Sequence, residues 1–228
     1  MNLQTRNALI SLILLLPIPS LGVYFGMIAL PNTPIGQGLF FLMKSVLLIM
    51  PIVWTLAIDK QPLSLSKPQR GGFLTSGIIG VAISIGIVGA YLLLGQLLVD
   101  TSLIQSKMLD IGLASKGTYI FGAVYWILVN AVLEEYVWRW FVVQQSEKII
   151  GATGAIFISA VGFTLHHIVA MQLYFNWVAV LLCAIGIFFG GAIWSWCYVR
   201  YRSIWPCYLS HAIVDVAIFG IGYQILFS

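Results

Sequence analysis

Seven runs of roughly twenty apolar residues follow one another along this chain, at 8–30, 38–58, 72–99, 119–142, 152–174, 176–199 and 204–226. About 20 apolar residues is the length a helix needs to cross the hydrocarbon core of a bilayer. Lipid offers no partner to a free backbone group, so each run is read as a helix. The expected fold is all-α: a polytopic membrane bundle of about seven transmembrane helices, forming one integral membrane domain over residues 1–228. The run 72–99 is long enough to tilt or to bend near Gly86 and Gly89. Pro31 and Pro34 break the first hairpin, Gly71 and Gly72 open the third helix, and Ser203 with Pro206 suits a helix start. Gly186 and Gly190 form a G-x-x-x-G whose usual meaning is close helix packing.

Composition agrees with lipid as the solvent. The chain is 61% hydrophobic and 8% charged, with a mean hydropathy of +1.01, whereas soluble domains carry about 25% charged residues. A net charge of +4 would suit nucleic acid in a soluble protein. Here the basic residues fall mostly between apolar runs, which fits lipid headgroups and topology signals, and no nucleic-acid partner is expected. One set of loops holds Arg6, Lys60, Lys67, Arg70, Lys148, Arg200 and Arg202; the opposite set holds only Lys107 and Lys116. The first set should face the cytoplasm, with the N-terminus inside and the C-terminus on the other side. Lys44 is expected to snorkel to the outer interface. The apolar N-terminal run continues past Pro17 to Leu30 with no small-x-small cleavage site, so it is read as a retained first helix. Cys183, Cys197 and Cys207 show no metal spacing and are read as small buried residues.

Ionisable residues inside membrane helices cost free energy and are candidates for function. Here they concentrate in three stretches. The fourth run carries Asn130, Glu134, Glu135 and Arg139; the fifth carries Phe163, His166 and His167; the seventh carries His211 and Asp215. Glu135 and Arg139 are four apart and share a helix face, as do His211 and Asp215. Glu134 is rotated about 100° from Glu135, leaving it available, with Asn130 four residues before it as a hydrogen-bond partner. Phe163 stacks below His167, and His166 is read as a bystander. The chain should turn near Ile150-Gly151, which brings Glu134 level with His167 in an antiparallel hairpin whose polar tip, Gln144 to Lys148, projects into the cytoplasm. A polar pocket among helices 4, 5 and 7 is the expectation. Peptide hydrolysis needs a base within about 3 Å of a water and donors aimed at the developing oxyanion, and this set offers both. Two histidines and a carboxylate are also a catalytic zinc set.

Glu134-Glu135-x-x-x-Arg139, Phe163-x-x-x-His167 and His211-x-x-x-Asp215 resemble, in order, the three motifs of the CAAX protease and bacteriocin-processing family, also called the ABI or type II CAAX prenyl endopeptidase family. The resemblance covers residues 119–226. It implies an intramembrane endopeptidase acting on a membrane-associated protein or peptide. Glu134 and His167 would activate the attacking water, His211 and Asp215 would help stabilise the oxyanion, and Glu135 and Arg139 would shape the site. Prenyl proteases of the family have Asn where this chain has Asp215, and an ionised Asp cannot donate to an oxyanion. Asp215 would then orient His211, ligate a metal, or donate only if protonated. The family has been read both as metal-dependent and as glutamate-dependent. The favoured reading requires no cofactor; in the other, His167, His211 and Asp215 would hold zinc. Three rivals stand beside it: a proton-coupled transporter, a non-catalytic immunity or assembly factor, and a prenyl-lipid enzyme, the last disfavoured by the lack of an Asp-rich diphosphate motif.

Overall fold

A computed structural model describes residues 1–64 and 66–228, and among these every regular element is a helix. In chain order they are α1 (Leu3–Ala29), α2 (Pro34–Ile58), α3 (Phe73–Leu98), the short α4 (Thr101–Asp110), α5 (Lys116–Met171), α6 (Trp177–Tyr201) and α7 (Ile204–Phe227). All except α4 are long and apolar enough to cross a membrane. Their outward surfaces carry Leu74, Leu93, Leu97, Phe121 and Trp177, all exposed, a surface that only lipid solvates well. The protein is an integral membrane protein.

Six helices hold the seven apolar runs because the fourth and fifth lie on one element. α5 has 56 residues, about 84 Å if straight against a hydrocarbon core of about 30 Å. It does not run straight. Gly151 has φ 70 and ψ 179, a region essentially reserved for glycine, and the chain reverses there. Across the turn Arg139 donates to Ser159, and Trp138 stacks on His166 at 5.3 Å. The two arms of α5 are therefore antiparallel, turning where the sequence placed the turn.

Side-chain caps mark most helix starts. Asn2, Thr33, Ser115, Asn176 and Ser203 each accept a first-turn backbone N–H, which satisfies a donor that has no intrahelical partner. Ser203 starts α7 as expected. Thr33 with Pro34 starts α2 four residues before the apolar run at 38, so Lys44 lies ten residues into the helix, about 15 Å along it. That is too deep to snorkel out.

α3 is helical without interruption from Phe73 to Leu98, through Gly86 and Gly89. It packs on α7, and Gly80 makes the approach possible: a Cβ there would lie 2.9 Å from the Ser210 carbonyl oxygen and 3.0 Å from its Cα. The second arm of α5 packs on α6, but not through the expected glycine pair. Gly186 faces open space and Gly190 meets only Trp194 of its own helix, whereas Gly191 faces Phe163 and Ala160. The core sits where these elements meet, around Val137, Trp138, Phe141, Phe163, Trp194 and Cys197.

One end of the bundle is tied by polar contacts. Asp59 after α2 accepts from Gln145 and Lys148, both at 2.7 Å, and Arg202 pairs with Glu147 at 2.7 Å. Ser203 donates to the Ser66 carbonyl, and Gln144 donates to the Tyr198 hydroxyl. The tip of the α5 hairpin, expected to project outward, instead has Gln145 and Ser146 buried. Its amides find partners on neighbouring helix ends, so exposing them gains nothing.

Candidate active site

Glu134 and Glu135 end a five-residue α-helical turn, Ala131–Glu135, bracketed by π-helical stretches at Trp126–Asn130 and Tyr136–Val143. π-turns widen a helix and redirect its side chains. The two carboxylates leave this turn toward different environments.

Glu135 is fully buried. Its Oε1 accepts from His211 Nδ1 at 2.9 Å, and its Oε2 lies 3.3 Å from Arg139 Nε as an ion pair without hydrogen-bond geometry. The Arg139 guanidinium is equally buried. It sits 4.7 Å over the Phe163 ring and 5.5 Å from that of Trp194, and its Nη1 donates to Ser159 Oγ at 3.3 Å. Ser159 also accepts from Ser195 and donates to the Trp138 carbonyl. His211 is held on its other side by Trp194, whose ring stacks at 4.2 Å and whose Nε1 donates to Ser210. The contact of α3 at Gly80 braces the same turn of α7 from behind.

Glu134 is different. Its side chain keeps 17% exposure. Its Oε1 accepts from Asn130 Nδ2 at 2.9 Å, and the Asn130 Oδ1 accepts from Lys44 Nζ at 2.9 Å. Its Oε2 lies 3.7 Å from His211 Nε2, too long for a direct hydrogen bond. Beside it, His167 Nδ1 lies 2.8 Å from the Phe163 carbonyl and His166 Nδ1 lies 3.4 Å from that of Gly162. A neutral imidazole with Nδ1–H on a carbonyl carries its lone pair on Nε2, and the backbone of α5 thus sets this tautomer for His167.

The structure brings the sequence-derived residues together. Asn130, Glu134, Glu135, Arg139, Phe163, His167, His211 and Asp215 lie in one connected cluster of side chains. Asp215 Oδ1 is 3.7 Å from His211 Nε2, so it is Glu135, not Asp215, that hydrogen-bonds the His211 ring. His166, read as a bystander, is part of the cluster. Lys44 reaches into the site instead of outward. Trp194, Ser159 and Ser195 gave no signal beyond being polar or aromatic on apolar runs.

Among the described residues, the His, Cys, Asp and Glu ligand atoms that gather within 4.8 Å of one another are those of Glu134, His166 and His167. The expected set of His167, His211 and Asp215 is not that group. Two imidazoles and a carboxylate match zinc in kind. Were a metal bound, these three would hold it, and it would supply Lewis-acid polarisation of a water.

Residues 116–217, a little under half of the chain, match the family model described as type II CAAX prenyl endopeptidase Rce1-like. The match takes in α5, α6 and the first half of α7 with every motif residue, and leaves α1 to α4 outside. The family is a family of proteases, and the resemblance seen in the three motifs holds. No curated protein and no solved structure matches the chain.

Proposed function

We propose, from this family match and the geometry beside it, that the protein is an intramembrane endopeptidase that hydrolyses a peptide bond in a membrane-associated protein or peptide. One observation carries the assignment of roles: two adjacent glutamates have divided environments. Glu135 is buried, with Oε1 accepting from His211 and Oε2 paired with Arg139. Glu134 has one oxygen fixed by Asn130 and the other 3.7 Å from His211 Nε2, and its carboxylate lies beside His166 and His167. A general base must reach its proton, and of the two only Glu134 has a free, accessible oxygen.

In this reading a water held between Glu134 and the Nε2 of His167 gives its proton to Glu134 as its oxygen attacks the scissile carbonyl carbon. The oxyanion that forms faces His211 in its protonated form, whose Nε2–H donates to it while Nδ1–H stays on Glu135 and the ring stacks on Trp194. Asp215 supports His211 from the next turn and does not itself donate. Glu134 then returns the proton to the amine as the C–N bond breaks. The water, the base and the leaving group suffice for the balance, so no cofactor is required.

The same site in a proton-coupled transporter would work only with an ion gradient. In sealed vesicles carrying the purified protein, hydrolysis of membrane-anchored peptides should continue unchanged after an ionophore dissipates the pH gradient. Gradient-dependent uptake with no new peptide termini would support the transporter instead.

The tied end of the bundle should face the cytoplasm, since it gathers Arg6, Lys148, Arg202 and their neighbours. Reporter fusions should place residue 147 inside and Ser228 outside. A C-terminus on the same side as residue 147 would contradict this orientation.

A further inference from the structure

We propose that Lys44, which lies outside the family-matched region, is a positioning residue that aims the Glu134 carboxylate through Asn130. This rests on the peptidase reading for its consequence on turnover, but the contact chain itself does not. Lys44 sits about 15 Å into α2, and an ionisable side chain so deep in a membrane helix needs a reason to be there. The carbonyl oxygen of Asn130 is its hydrogen-bond partner at 2.9 Å, and Asn130 is buried.

The polarity of this chain is fixed by chemistry. An asparagine amide has an accepting end and a donating end that are nearly identical in shape, and either can face a neighbour. A lysine ammonium has only donors, so the accepting end of Asn130 must face Lys44. Its NH₂ is thereby committed to Glu134, where a carboxylate has only acceptors. Lys44 thus determines which end of Asn130 meets the base. It also places a positive charge two hydrogen bonds from a carboxylate whose other neighbours are imidazoles. With Oε1 held, Oε2 is the oxygen left toward His211. If Lys44 were lost, nothing would fix which end of Asn130 faces Glu134, and the carboxylate would lose the donor that holds Oε1.

The test is Lys44→Met, which removes the charge at similar volume, beside Lys44→Gln, which keeps an N–H toward Asn130. Two readouts are taken. Turnover of a membrane-anchored peptide should show kcat lowered about 10–100-fold in Lys44→Met, as for a displaced reacting group, with KM unchanged and with Lys44→Gln retaining more. Adding Lys44→Met to Asn130→Ala should cost nothing further, because both act along one path. The second readout is independent of activity: the melting temperatures of Lys44→Met, Asn130→Ala and the double variant. The double variant should melt at or above the temperature of Asn130→Ala, because residues on one hydrogen-bond path do not add. Additive losses in melting temperature, or an unchanged kcat in Lys44→Met, would overturn the proposal. Non-additive losses in a protein whose wild type cleaves nothing would leave Lys44 in place and remove the peptidase reading.

Discussion

Replacing Glu135 by Gln should lower the yield and the thermal stability of the protein together, by about 3–5 kcal/mol, the cost of leaving a buried charge without its partner. Both groups that meet Glu135 are donors: Arg139 Nε at 3.3 Å and His211 Nδ1 at 2.9 Å. A carboxylate accepts from both. A glutamine has one accepting atom, and its NH₂ must be turned against the other donor. Arg139 is fully buried and cannot swing to water. Activity should fall as well, since the His211 ring loses the bond that aims it. Adding Arg139→Met removes the stranded cation and puts an apolar chain against Phe163 and Trp194. The double variant should recover most of the stability, while Arg139→Met alone strands the Glu135 charge and does not. Thermal unfolding in detergent compares the three. Equal stability of Glu135→Gln and wild type would mean that the buried pair does not hold the bundle.

Glu134→Gln should do the opposite. Gln keeps the size of Glu and an oxygen to accept from Asn130, and Glu134 is not fully buried, so insertion and unfolding temperature should stay at wild-type values. Turnover should fall by about 10²–10⁴-fold, the contribution of a general base. The two neighbouring glutamates thus make opposite predictions from one substitution: at 135 the fold suffers first, at 134 the chemistry alone.

The sequence disclosed the parts of this site that are local. Helix spacing paired Glu135 with Arg139 and set Asn130 below Glu134. Counting from Gly151 brought Glu134 level with His167, because a hairpin reversing at one glycine has a register that can be counted. What it could not disclose were contacts between helices distant in sequence. The bond from His211 to Glu135 depends on how α7 rotates against α5, and lipid-facing and core-facing runs are equally apolar, so periodicity says little about rotation in a membrane. Adjacent residues diverge by about 100° on a helix, yet the imidazoles of His166 and His167 both bend back toward carbonyls four residues earlier and end up with ring centroids 4.1 Å apart. Lys44 was misplaced for an avoidable reason. Thr33-Pro34 is a cap followed by a first-turn proline, and a helix counted from there puts Lys44 ten residues in, well past its first turns.

The family match extends over α5, α6 and the first half of α7, and the geometry has its own internal logic: a buried glutamate that anchors, an accessible one beside two histidines, and a histidine aimed between them. The central claim is that this arrangement cleaves peptides with Glu134 as the base. The most direct measurement is an unbiased comparison of peptide termini in membranes containing the wild type or Glu134→Gln at equal protein levels. A set of internal termini present with the wild type and absent with Glu134→Gln is the expected result; identical termini in both would contradict the account.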